Sequence, residues 1–125
     1  MADSPQLLHC GILISDMEKS AAFYEGILGW KRDPRPEMGF PGAWYKVGEG
    51  MQIHLMTAEK PEHLSKQAGQ RGGLDGHFAV RIPNFDPVKN ALQEKGYPIH
   101  EGSMFGKRRL FTRDPDYNLV ELWET

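Results

Sequence analysis

Three histidines and one glutamate sit inside stretches that are otherwise apolar: His9, His54, His77 and Glu121. Imidazole nitrogens and a carboxylate together suit Zn, Ni, Fe(II), Mn or Co, and two histidines with one carboxylate are also the facial set of non-haem iron. No two of the four are close in sequence, so no local metal motif is present. What relates them is a repeat. His9 and His77 are 68 positions apart, and the same offset carries Asp16 onto Asn84, Met17 onto Phe85 and Tyr24 onto Leu92. Reduced to 67, it carries Gly29 onto Gly96, Trp30 onto Tyr97, Trp44 onto Phe111 and His54 onto Glu121. One single-residue deletion reconciles the set. Both ends of both copies therefore place a metal-competent side chain in an apolar strand, as expected of a duplicated module that builds a metal centre. Glu121 adds a physical reason: between Val120 and Leu122, an ionised carboxylate is costly unless paired or metal-bound.

The elements that must position these groups follow from periodicity. Residues 7–14 alternate, with Leu8, Cys10, Ile12 and Ile14 opposite Leu7, His9, Gly11 and Leu13. The apolar face should carry a helix, and Gly11 leaves room beside His9. Asp16 is placed to cap a helix running to about Leu28, closed by Gly29. Residues 44–47 and 51–56 read as strands joined through Gly48, Glu49 and Gly50. The second copy repeats the order. A strand over 77–82 precedes a helix capped by Asn84 or Asp86, ending near Lys95 and closed by Gly96. A final hairpin over 107–113 and 119–123 turns through Asp114, Pro115, Asp116, Tyr117 and Asn118, which are rich in turn formers. The expected fold is thus α+β: one domain, 1–125, made of modules 7–56 and 77–124 joined by a linker, 57–76. Residues 32–42, with Pro34, Pro36 and Pro41, form a second long irregular stretch and read as a lid over the pocket.

Composition narrows the partners. Fifteen Lys and Arg against 17 Asp and Glu give a net charge of -2, and the only consecutive basic triplet is Lys107, Arg108 and Arg109, so nucleic-acid binding is not expected. No apolar run approaches the ~20 residues that span a bilayer, and no signal peptide is visible, so a cytoplasmic protein without a membrane partner is expected. The single cysteine, Cys10, excludes an intrachain disulfide framework and reads as a small apolar strand residue. His63 and His100 have no repeat partners and read as solvated. Each module alone, at roughly 60 residues, would bury too little surface to be stable, so the two must pack on one another or on a second chain.

From Leu8 to Trp123 the chain resembles the vicinal oxygen chelate superfamily, which includes glyoxalase I, bleomycin and fosfomycin resistance proteins and extradiol dioxygenases. The resemblance is carried by Leu8-His9, by the run from Asp16 to Tyr24, by Leu28-Gly29-Trp30, and by Asp114-Pro115-Asp116-Tyr117-Asn118-Leu119-Val120-Glu121. The last is similar to the family's DPDGN-x-x-E ending, with Tyr117 where glycine is usual. Pro41-Gly42-Ala43-Trp44 and Gln52-Ile53-His54-Leu55 resemble the bacterial and plant glyoxalase-like branch. The resemblance implies two paired βαβββ modules forming a half-barrel around one divalent ion (Ni, Zn, Mn, Co or Fe). It implies His9, His54, His77 and Glu121 as the ligands, with glutathione as a candidate co-substrate. Glyoxalase I usually has glutamate where this chain has His54, which leaves His54 as ligand or base, with Glu121 as the catalytic carboxylate.

The reading is a metal-dependent glyoxalase I-like lyase or isomerase acting on a small oxygen-chelating substrate through a metal-stabilised enediolate. Two alternatives stay open: an Fe(II) extradiol-type dioxygenase, for which His9, His77 and Glu121 match the ligands equally well, and a drug- or metabolite-binding resistance protein without catalysis. Trp44 and Phe111 are repeat-equivalent aromatics placed to line a pocket or to pack in the core. Arg109 shares a strand face with Phe111 and is either a contact for an anionic substrate or, as favoured here, a solvated edge residue. The working unit expected is a homodimer with sites shared between chains.

Overall fold

The protein is described by a computed structural model over residues 4–60 and 75–125. Most of the 57–76 linker, with His63, lies outside the described residues. The first module runs β1 (His9–Ile14), α1 (Met17–Ala21) continuing into a π-helical segment (Ala22–Ile27), β2 (Arg32–Asp33), β3 (Gly42–Lys46) and β4 (Gln52–Thr57). The second runs β5 (His77–Ile82), α2 (Phe85–Glu94), β6 (His100–Met104), β7 (Lys107–Arg113) and β8 (Leu119–Glu124). Each module forms its own four-stranded sheet, ordered β1-β4-β3-β2 and β5-β8-β7-β6. In each, the first strand pairs parallel with the last and the other pairings are antiparallel. This is the expected α+β architecture of paired βαβββ modules.

The one-residue deletion between the copies has a structural counterpart. In the second module the helix is closed by Tyr97 N–H donating to Leu92 C=O, a five-residue step. In the first, the equivalent bond runs from Trp30 N–H to Tyr24 C=O, six residues back. The extra residue is absorbed as a widened turn, with Leu28 N–H reaching Phe23 C=O across five residues in place of four. Gly29 and Gly96 then take the left-handed conformation that ends both helices, at φ +76 and +81. Asp16 caps α1, its carboxylate accepting from Lys19 N–H at 3.0 Å. The capping expected in the second module is not made. The Asn84 side chain forms no capping bond, and Asp86 lies inside the first turn, where it pairs with Arg108 at 3.0 Å.

One face of each sheet packs on the helices. Ile14, Tyr45, Ile53 and Leu55 from the first module and Leu110 and Leu122 from the second belong to one continuous core. Phe23 meets Tyr97 across the modules, with ring centroids 5.0 Å apart. The other face of β1 and β5 is open: His9, Gly11, His77 and Ala79 are exposed. Among the described residues no strand of one sheet pairs with a strand of the other. None of the helices among the described residues is long and apolar enough to cross a membrane.

The Asp114-to-Asn118 turn, expected only to reverse the chain, also clasps the modules together. Asp114 is 3 % exposed, and its carboxylate accepts from Asp116 N–H, Asn118 N–H, Asn118 Nδ2 and, across the module boundary, the Tyr24 hydroxyl at 2.8 Å. Asn118 Nδ2 also reaches Leu13 C=O at 3.0 Å, and Asp116 accepts from Ser15 N–H at 3.0 Å. Burial, outweighing these donors, pushes the Asp114 carboxyl above its usual range, and burial together with Asp114 pushes the Tyr24 hydroxyl well above its own. Tyr117, where the resembling motif has glycine, adopts φ 66 and so takes the left-handed conformation at this turn. Asp114→Ala would leave several buried donors unpaired and should destabilise the fold by roughly 3 kcal/mol or more. Tyr24→Phe removes one of these bonds and should cost about 1–2 kcal/mol. Urea unfolding of both variants checks the ordering; equal small losses would mean the turn does not join the modules.

Candidate functional site

The repeat-equivalent groups come together in pairs because of strand register. β1 and β4 run parallel with Gly11 opposite His54, so His54 lies beside His9, two residues away on the same face. β5 and β8 place Ala79 opposite Glu121, which brings Glu121 to His77 in the same way. In both cases the residue opposite the second group is small, and the side chain from the strand start can lie over it.

The first pair is an aromatic stack. The His9 and His54 rings are 3.9 Å apart and 9° from parallel, and Trp44 covers the other face of His54 at 4.2 Å and 5°. Gln52 Oε1 lies 2.7 Å from His54 Nε2, and Gln52 Nε2 donates to Asp33 at 2.9 Å. Burial first, then His9 and Arg35, lowers the His54 pKa from its usual value, so the ring stays neutral to lower pH than free histidine. The stack opens onto a cavity of about 680 Å³ lined by Leu8, Met38, Met51 and Met56 as well as by the rings. Met38 belongs to the 32–42 stretch, so part of that segment does wall this cavity, although Arg32–Asp33 forms a short strand on β3.

The second pair is polar and tightly held. Glu121 is 6 % exposed, and its Oε1 lies 2.9 Å from His77 Nε2. Trp123 Nε1 donates to its Oε2 at 2.5 Å, and Arg109 Nη1 donates to the same oxygen at 3.3 Å. His77 Nδ1 faces Asp75 C=O at 2.7 Å, an acceptor, so Nε2 is the nitrogen turned to the site. The Phe111 ring stands edge-on to His77 at 5.4 Å. Arg109 lies against both Phe111 and Trp123, its guanidinium carbon 5.4 and 5.6 Å from their ring centres. One expectation changes here. Arg109 is not a solvated edge residue, because it is half-buried and pairs with Glu121. Glu121 is paired, as its burial requires: Arg109 and Trp123 both donate to its Oε2.

The structure thus brings together His9 with His54, and His77 with Glu121. Among the described residues no three histidine, cysteine, aspartate or glutamate side chains gather as a metal cluster. Between the modules, a separate groove of about 450 Å³ is lined by Cys10, Ile12, His77, Phe78 and Leu119. Cys10 is half-buried there, and His100 is exposed on the outer strand β6, as expected. Gln52, Asp33 and Trp123 were not singled out from the sequence. The available signal was alternation: Gln52 and Trp123 each lie two residues from a candidate ligand and so share its face.

The donor chemistry of imidazoles with a carboxylate suits a borderline divalent ion, presented here as two half-sets. Comparison with known proteins bears on what such half-sets belong to. Residues 6–122 match the model of the glyoxalase/bleomycin resistance protein/dioxygenase superfamily. The chain is 32 % identical over 122 residues to Glyoxylase I 4 of Arabidopsis thaliana, covering 93 % of this chain and 68 % of that protein. It is 26 % identical over 126 residues to lactoylglutathione lyase of Salmonella typhimurium, covering 95 % and 92 %. A structure described as a putative glyoxalase family protein from Bacillus anthracis superposes with a TM-score of 0.76 at 21 % identity, covering 98 % of this chain and 96 % of that one. With a family match over nearly its whole length and the same paired-module fold, this chain belongs to the glyoxalase/bleomycin resistance protein/dioxygenase superfamily.

Proposed function

We propose that the chain is a divalent-metal-dependent lyase or isomerase of the glyoxalase I type, working as a symmetric homodimer on a small substrate with neighbouring oxygens. The observation that carries this reading is the division of the donors into two incomplete pairs, each begun by an exposed histidine at a strand start. In such a dimer, His9 and His54 of one protomer and His77 and Glu121 of the other would together hold the ion. That ion supplies Lewis acidity to the substrate's oxygens.

The remaining work falls to the protein's own groups. Glu121 is the carboxylate that accepts and returns a proton at the substrate carbon. Its Oε2 is tied to Trp123 and Arg109, which fixes the plane of the carboxylate and leaves Oε1 as the working oxygen. Arg109, held against Phe111 and Trp123, supplies positive charge at the same wall and suits a substrate bearing a carboxylate. Trp44 closes the opposite wall. A glutathione thiohemiacetal has the required neighbouring oxygens and distal carboxylates, and relatives named lactoylglutathione lyase favour it.

The test is metal analysis of the purified protein together with hemithioacetal isomerisation assayed after loading with Ni, Zn, Mn or Co. Activity in at least one metal form is expected, and His54→Glu, which restores the glyoxalase I donor set, should raise it by about 10-fold or more. Oxygen uptake with catechols in place of isomerisation would overturn the assignment in favour of a dioxygenase.

A further inference from the structure

We infer that Asp33 and Gln52 are positioning residues that fix which nitrogen His54 presents to the site; this rests on the reading of His54 as a site residue. An imidazole offers two nitrogens about 2 Å apart, and either can carry the proton of the neutral ring. A group that holds one of them decides what the other can do.

The chain of donors and acceptors here has one consistent direction. Asp33 is a carboxylate and only accepts, so the end of Gln52 that meets it at 2.9 Å is the NH2 group. The opposite end of the same rigid amide, the Oε1 oxygen, is then turned to His54 at 2.7 Å. An oxygen there requires a proton on Nε2. His54 is therefore the Nε2–H tautomer, and Nδ1, which makes no hydrogen bond among the described residues, is the nitrogen with a free lone pair. Trp44 and His9 on either face prevent the ring from turning over without breaking the stack.

The second module carries no such device. The repeat equivalents of Gln52 and Asp33 are Leu119 and His100, the first buried and apolar, the second exposed. Its ring, His77, is oriented by a backbone carbonyl through Nδ1 instead and shows Nε2 to the site. His54 and His77 thus present opposite nitrogens to the site. A side-chain relay is present only where the chain has histidine in place of the glutamate usual in glyoxalase I. A carboxylate needs no tautomer control; an imidazole does.

The direction of the relay can be reversed from Asp33, which does not touch the ring. Asp33→Lys replaces the acceptor with a donor, so the Gln52 amide should turn over, place its NH2 against Nε2 and drive the proton to Nδ1. The measurement is the 15N spectrum of the His54 ring in metal-free protein at a pH where the ring is neutral. The parent and Asp33→Glu should show Nε2–H, with an observable proton on that nitrogen. Asp33→Lys should show Nδ1–H, and Gln52→Leu should lose the protected Nε2 proton. Zinc alone, titrated into the same proteins, should bind Asp33→Lys and Gln52→Leu about 10–100-fold more weakly than the parent. A parent ring protonated on Nδ1, or an Nε2–H tautomer unchanged by Asp33→Lys, overturns the inference. A tautomer that switches as stated in a protein without isomerase activity would instead leave the relay intact and remove the proposed reaction.

Discussion

A His9→Ala chain and a Glu121→Ala chain, each inactive alone, should regain activity when unfolded together and refolded as a mixture. Each variant lacks one donor, and loss of a donor should cut bound metal and turnover by at least ~10²-fold. In a dimer whose sites combine the first module of one protomer with the second module of the other, a mixed pair holds one site with both lesions and one with neither. Random pairing makes about half of the dimers mixed, with one intact site of two, so recovery should reach about a quarter of the parent activity. The prediction follows from geometry: in the chain as it stands the four groups lie as two pairs on separate sheets. Sites closed within one chain, or a monomer in solution, would give no recovery. Metal content measured on the same mixtures separates a failure to pair from a failure of chemistry.

The second large effect is expected at Glu121 itself. Glu121→Gln keeps the shape and one donor oxygen but removes the proton-accepting charge. Turnover should fall by ~10²–10⁴-fold, the usual worth of general base catalysis. Metal affinity should fall much less. The hydrogen bonds sharpen the expectation. Trp123 and Arg109 both donate to Oε2, so the amide will keep its oxygen there and turn its NH2 toward His77. The working oxygen is therefore the one lost. A fall in bound metal equal to the fall in turnover would make Glu121 a ligand and nothing more.

Much of the frame could be read from the residues, and the misreadings have identifiable causes. The offsets of 68 between His9 and His77 and 67 between His54 and Glu121 placed a candidate ligand in each of β1, β4, β5 and β8, because a duplicated module repeats the spacing of its strands. The role of Arg109 was misread because β6, an exposed strand of His100, Glu101, Gly102, Ser103 and Met104, has no apolar alternation to announce it. Without β6, β7 looks like an edge. With β6 in place, β7 is paired on both sides, and Arg109 faces the sheet interior beside Glu121. Gln52 and Asp33 were passed over for a different reason. Their types are common on surfaces, and only three-dimensional proximity gives them a direction. The joining function of the Asp114 turn was equally hidden, since local turn chemistry accounts for every residue in it without reference to Tyr24.

The widened turn in the first helix has a consequence for how the duplication can be treated. Tyr24 lies within that turn, and its hydroxyl crosses to Asp114 in the other module. The residue at the same place in the second copy is Leu92, fully buried, with no polar atom to return the contact. The tyrosine contact is therefore one-sided: the first half supplies the hydroxyl, and the second supplies the turn that receives it. Two copies of the first half could still latch only if each carried the Asp114 turn, and two copies of the second half would carry the turn but lack the tyrosine. The halves have become a lock and its keeper, and neither can stand in for the other.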